Sequence, residues 1–186
     1  TKPGLSSYKD TPEKAGASLK PLIDYALEKV PEHLRSTTPV HLKASAGLRL
    51  LPEKKQEELL DSVRDYLAQT PFVFDRSWVS VISGTDEAVG AWVTVNYLLG
   101  NLKPTSTSTV GIVDLGGASV QVACLPTSEP PVGSVRHDVQ VAGRDYALYV
   151  YSHLGYGLHQ TRKGIKAEIE KTGGAPCGEG TPEAFG

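Results

Sequence analysis

"IVDLGGASVQVA", residues 112–123, governs how the rest of the chain is read. Two apolar, β-branched runs, "VGIVDL" from Val110 and "VQVACL" from Val120, flank a Gly-Gly turn, which is the pattern of a strand hairpin. Its tip carries chemistry: Asp114 near the end of the first strand, bare backbone at Gly116 and Gly117, and the hydroxyl of Ser119 where the second strand opens. Glycines permit positive φ and carry no side chain, so the successive amides of Gly116, Gly117, Ala118 and Ser119 are expected to approach an anion as a nest, with phosphate a good fit. Asp114 would repel phosphate directly but can accept from the water shell of a divalent cation. Gln121, two residues beyond Ser119 on the same strand face, can orient that shell, and Ser119 can hold an attacking water. Taken alone, the stretch fits a plain surface turn equally well, because short glycine motifs recur by chance.

Outward from the hairpin, strands and helices alternate, which predicts an α/β architecture. Thr11, Pro12 and Glu13 signal a helix start, with Ala15, Leu19, Leu22, Ile23, Ala26, Leu27 and Val30 as its apolar stripe and Pro21 as a kink or restart. "PVHLKA" (39–44) reads as a strand, and a charged helix from about Pro52 to Ala68 presents Leu59, Leu60, Val63 and Leu67 to the core. "SWVSVIS" (77–83) reads as a second buried strand and "DEAVGAWVTVNYLL" (86–99) as a helix, with Trp92 on a packing face beside Val89 and Val95. "KPTSTST" (103–109) reads as a linker. After the hairpin and a proline-rich loop, "VRHDVQVAG" (135–143) alternates as a strand. "DYALYVYSHLGYGLHQTRKGIKAEIEK" (145–171) reads as helical, broken around Gly155 and Gly157.

Composition narrows the function classes. Nineteen basic against 21 acidic residues, net charge −2, produce no field that would gather nucleic acid or an anionic membrane. There is no apolar run of spanning length, so these residues predict no membrane contact. The absence of Met and the abrupt ends suggest a piece of a longer protein, and the two cysteines, Cys124 and Cys177, cannot form a metal cage.

Two further strand ends carry polar residues where open α/β sheets bind ligands. "SGTDEAVGAW" (83–92) places Asp86 and Glu87 at a helix start, as candidate bases or as structural caps. "ASAGLRLL" (44–51) offers Ser45, Gly47 and Arg49 beside the core leucines Leu48, Leu50 and Leu51.

In this order and spacing, "ASAGLRLL", "ISGTDEAVGAWVTVNYLLG" (82–100) and "VDLGGASVQVA" (113–123) resemble the second, third and fourth signature regions of the apyrases, the nucleoside triphosphate diphosphohydrolases. "KPGLSSY" (2–8) and "DYALYVYSHLGYG" (145–157) resemble the stretches around those regions in plant-type members. The resemblance implies two ribonuclease-H-like lobes of the actin/sugar-kinase superfamily. Residues 1–103 would be the later part of lobe one, and 104–186 the start of lobe two. It implies hydrolysis of terminal phosphate from nucleoside tri- and diphosphates with Ca or Mg, in the secretory pathway, outside the cell or anchored to a membrane. Glu87 would be the general base and Ser119 would position the water. Gly116, Gly117 and Ala118, with Ser45 and Gly47, would bind phosphate, while Asp114 and Gln121 would hold the cation through water. Ser45 stands for a family threonine and Ala88 for a family glycine; the first and fifth signatures would lie outside these residues, as would a partner for Cys177. The alternatives within reach are an exopolyphosphatase-like enzyme of the same superfamily and a nucleotide-binding piece without activity.

Overall fold

The computed structural model describes residues 4–128 and 136–173, so Cys177 lies outside the described residues. It divides into two compact units, Thr1–Ala91 and Trp92–Gly186.

In the first unit, short 3-10 turns at Leu5–Tyr8, Pro12–Lys14 and Ala17–Leu19 lead into helix α1, Lys20–Lys29. The part of the expected helix that precedes Pro21 is thus made of 3-10 turns. Pro21 sits in the first turn of α1, where its missing amide costs nothing, so it restarts the helix. Ala15, Leu19 and Ile23 are buried as expected, but Leu22 is exposed because the 3-10 turns shift the phase of the stripe. A short helix α2, Glu32–Arg35, precedes strand β1, Leu42–Ala44. Helices α3, Ala46–Arg49, and α4, Glu53–Leu67, then return the chain to strand β2, Val79–Val81, parallel to β1 with Leu42 opposite Val79 and Ala44 opposite Val81. The four expected residues of α4, Leu59, Leu60, Val63 and Leu67, are its buried ones, packed with Ala44, Leu48, Phe72 and Val79. Burying such side chains contributes roughly 1.5–3 kcal/mol each. Arg64 ties the same helix to the strand: its Nη2 donates to the Val79 carbonyl at 3.0 Å while Nη1 meets Glu57 and Asp61. Helix α5, Gly84–Leu98, follows β2.

In the second unit, strands β3 (Ile112–Leu115), β4 (Ser119–Cys124), β5 (Arg136–Val141) and β6 (Arg144–Leu154) form an antiparallel sheet in the order β3-β4-β6-β5, followed by helix α6, Leu158–Lys171. The hairpin at 112–123 is thus present with Asp114 opposite Gln121. The helical reading of 145–171 holds only from Leu158. Residues 144–154 are a strand whose buried positions, Tyr146, Leu148 and Val150, recur every second residue. Tyr and Val suit that pleated surface, and pairing with β4 and β5 on both sides outweighs the helix preference of its Ala and Leu. The turn before it, Ala142 and Gly143, has φ of 51° and 75°, the two positive values of a type I′ hairpin.

Two buried residues at the start of the second unit, Trp92 and Asn96, hold the end of α5 to β6 and to the entry of β3. Trp92, fully buried as its predicted packing role requires, meets Tyr146 edge to face at 5.2 Å. Asn96, also fully buried, donates from Nδ2 to the carbonyls of Trp92 and Val110, both at 3.0 Å. Its Oδ1 accepts from the Val110 amide at 2.8 Å and from Asn101 Nδ2 at 3.0 Å. One side chain thereby sets where β3 begins. Asn96→Ala is expected to cost about 2–4 kcal/mol in urea unfolding, since several net hydrogen bonds of about 1 kcal/mol each are lost together. Ala142→Asn should have the opposite sign and gain about 1 kcal/mol in the same measurement, because Asn tolerates the left-handed backbone that strains Ala.

Candidate functional site

The expected site residues fall in both units. In the first unit, two strand-to-helix junctions meet, β1 to α3 and β2 to α5. Ser45 follows β1 in an extended conformation (φ −115°, ψ −150°) and its carbonyl accepts from the amides of Leu48 and Arg49, so it starts α3 through its backbone while making no side-chain capping bond. Gly47 lies within α3 against Ser6, whose Oγ would be 3.2 Å from an added Cβ. Just before α5, Ser83 and Asp86 cap one another: the Asp86 amide donates to Ser83 Oγ at 3.0 Å and the Ser83 hydroxyl to Asp86 Oδ2 at 2.7 Å. That resolves the acidic pair. Asp86 pairs with the capping Ser83, and Glu87 pairs with Arg49.

Glu87 receives Arg49 Nη2 on Oε2 at 2.8 Å, with side-chain exposure of 22% and 14% respectively. The second arm of the guanidinium, Nη1, donates to the Ile82 carbonyl at 2.9 Å, just past β2. Arg49 therefore joins the end of α3, the exit of β2 and the first turn of α5. A planar fork holds its two donors in a fixed geometry for these two acceptors, which a flexible ammonium does not. Ala88, in place of the family glycine, is fully buried beside it.

In the second unit, the pairing of Asp114 with Gln121 and of Gln121 with Ser152 puts these three residues in one row across β3, β4 and β6. Further along the same face, Ala123, Val150 and Leu148 are buried and apolar, so the face turns polar only toward the hairpin tip. Ser119 and Gln121 are each 1% exposed, whereas Asp114 is exposed. Gln121 Nε2 donates to the hydroxyl of Ser119 and to that of Ser152, the latter at 3.3 Å. The structure thus brings Asp114, Ser119 and Gln121 together as expected. It adds Ser152, which a helical period over 145–154 does not place on this face.

The tip departs from expectation in its backbone. Neither Gly116 nor Gly117 has positive φ. Glycine at 117 answers a steric demand instead, since a Cβ there would lie 2.8 Å from His159 Cδ2. Gly116 closes the hairpin by donating to the Ser119 carbonyl at 3.0 Å. Among the described residues no group of three or more His, Cys, Asp or Glu side chains could hold a metal ion directly. An exposed lone carboxylate flanked by an amide and hydroxyls suits a cation that keeps its water shell, as Mg commonly does. Cys124 is a free, partly buried thiol.

A family model described as GDA1/CD39 (nucleoside phosphatase) matches residues 1–177. The chain belongs to this family. It is 44% identical over 165 residues to ectonucleoside triphosphate diphosphohydrolase 5 of Gallus gallus, covering 87% of this chain and 39% of that protein. It is 46% identical over 168 residues to guanosine-diphosphatase of Schizosaccharomyces pombe (87% and 30%), and 44% identical over 182 residues to probable apyrase 1 of Oryza sativa subsp. japonica (92% and 36%). The chain thus spans less than two fifths of the length of these relatives.

The Arg49–Glu87 contact has a stability consequence of its own. Arg49→Ala should destabilise the protein by about 1.5–3 kcal/mol in urea unfolding, the scale of a partly buried hydrogen bond to a charged group. Arg49→Lys should fall between, keeping the charge but losing one of the two anchors.

Proposed function

We propose that the protein of which this chain is part hydrolyses the terminal phosphate of nucleoside tri- and diphosphates, with this chain supplying the base and one phosphate-binding hairpin. The observation that carries the reading is the sorting of the acidic pair. Asp86 is consumed in capping, while Glu87 is held by a guanidinium anchored to Ile82 O. Family membership and relatives named diphosphohydrolase, diphosphatase and apyrase support it.

In this reading the Glu87 carboxylate takes a proton from a water whose oxygen attacks the terminal phosphorus, and the bond from phosphorus to the bridging oxygen breaks, releasing phosphate and the shortened nucleotide. Ser119 positions that water, its hydroxyl in turn held by Gln121. Gly116, Gly117 and Ala118 bind phosphate through backbone amides, and Ser45 and Gly47 are the phosphate-binding residues of the first unit. Asp114 and Gln121 hold a divalent cation, Ca or Mg, through its waters. When bound, that ion supplies positive charge against the phosphate oxygens. Such positioning accounts for most of the catalysis available in phosphoryl transfer.

Residues 1–103 form the later part of one ribonuclease-H-like lobe of the actin/sugar-kinase type and 104–186 the start of the second. No helix among the described residues is long and apolar enough to cross a membrane. The names of the ectonucleoside relatives support a place in the secretory pathway, outside the cell or attached to a membrane by other segments.

Glu87→Gln in the complete protein is expected to lower phosphate release from nucleoside di- and triphosphates by about 10²–10⁴-fold while leaving nucleotide affinity nearly unchanged. Undiminished turnover would remove Glu87 from the role, and preferential release from polyphosphate in a direct competition would favour the exopolyphosphatase-like alternative.

A further inference from the structure

The first amides of α6 are spent on the hairpin tip. Leu158 donates to the Gly116 carbonyl and His159 to the Gly117 carbonyl, each at 2.9 Å, with Gln160 reaching the latter at 3.4 Å. Gly155, three residues ahead of the helix, donates to the Ala118 carbonyl at 2.8 Å. Three consecutive tip carbonyls are therefore turned toward residues 155–160. Across a trans peptide the N–H points opposite to the C=O, so the amides of Gly117 and Ala118 are turned the other way. Neither has an acceptor among the described residues.

Gly157 makes the contact possible. It precedes α6 with φ −68° and ψ 163°, an ordinary extended conformation, so its need is not for unusual backbone angles. A Cβ there would lie 2.4 Å from the Ala118 nitrogen and 2.5 Å from both the Gly117 carbonyl carbon and the Ser119 nitrogen. All three are backbone atoms, so an added methyl group must displace the tip itself. The ring of His159 lies over Gly117 from the same side.

We propose that Gly157 and the Leu158 amide are positioning elements for phosphate binding: by engaging the tip carbonyls, they aim the Gly117 and Ala118 amides outward at the terminal phosphate. This rests on the reading of the tip as a phosphate-binding hairpin. The bonds also polarise the peptides they hold. The 116–117 peptide accepts from the positive end of a helix and offers its own N–H on the far side, which makes that N–H a stronger donor. The helix end is not itself the anion site; its effect reaches the ligand through two peptide groups.

The extended backbone at Gly157 permits a clean test. A residue before proline must be extended, as Gly157 already is, and proline is well tolerated at the first position of a helix, which Leu158 occupies. Leu158→Pro therefore deletes the amide that reaches Gly116 while preserving the helix, and comparison with Leu158→Ala separates loss of the amide from loss of the side chain. In the complete protein with magnesium, Leu158→Pro should bind a non-hydrolysable nucleoside triphosphate analogue about three- to tenfold more weakly than Leu158→Ala, the scale of one hydrogen bond, at matched melting temperature. In ¹⁵N-glycine-labelled protein the Gly117 amide proton should move upfield in the proline variant only. Gly157→Ala, which keeps every amide but intrudes on the tip, should weaken binding more than Leu158→Pro. Equal affinity of the proline and alanine variants, or wild-type affinity in Gly157→Ala, overturns the proposal. A wild-type Gly117 amide that does not respond to the analogue instead overturns the phosphate-binding reading beneath it.

Discussion

The hydrogen bonds from residues 155–160 to the carbonyls of Gly116, Gly117 and Ala118 are the constraint on which the hairpin end of the second unit depends. A glycine-containing tip has little intrinsic preference for one shape, and ordering each such residue costs about 1–2 kcal/mol of conformational entropy. The helix end supplies the compensating contacts in its own currency, because its first amides lack partners within the helix and require acceptors. Each partner satisfies the other. The side-chain row of Asp114, Gln121 and Ser152 is then held beside a tip of defined direction, with the Gln121 bond to Ser119 linking row and tip.

The first unit reaches a comparable end by side chains. Adjacent carboxylates at Asp86 and Glu87 receive different environments because a helical backbone points successive residues about 100° apart. One faces back toward Ser83 and caps; the other meets Arg49, itself anchored on Ile82 O. Removing two charges from most of their water carries a desolvation cost that the guanidinium–carboxylate geometry must offset, so such a pair is better evidence of orientation than of stability. Helix α4 provides the rigid backing, its four buried apolar residues forming the floor beneath β1 and β2.

Legibility followed the range of the forces involved. The α4 stripe, the two short parallel strands, the α5 helix and the 112–123 hairpin were readable because period, turn residues and apolar alternation act over a few positions. Residues 144–154 were not, because Ala, Leu and Tyr there are compatible with either period, and pairing with two neighbouring strands decided the outcome. The exposure of Leu22 was unreadable for a related reason: one residue of 3-10 winding rotates every later side chain. Asn96 offered no signal at all, since an Asn within a helix declares its partners only when Val110 and Asn101 arrive.

The amino-acid sequence by itself determined which chemistry the chain can offer: a hairpin with Asp114, bare amides, Ser119 and Gln121, and an acidic pair at a helix start. These are properties of residue type and local spacing, which no packing can change. Only the tertiary structure decided that Asp86 pairs with Ser83 and Glu87 with Arg49, and why residue 157 is a glycine. Those answers depend on atoms distant in sequence approaching within a few ångströms, as His159 approaches Gly117 and Gly157 approaches Ala118. Local preference proposes the turn; the carbonyls it presents to α6 settle the direction in which its amides point.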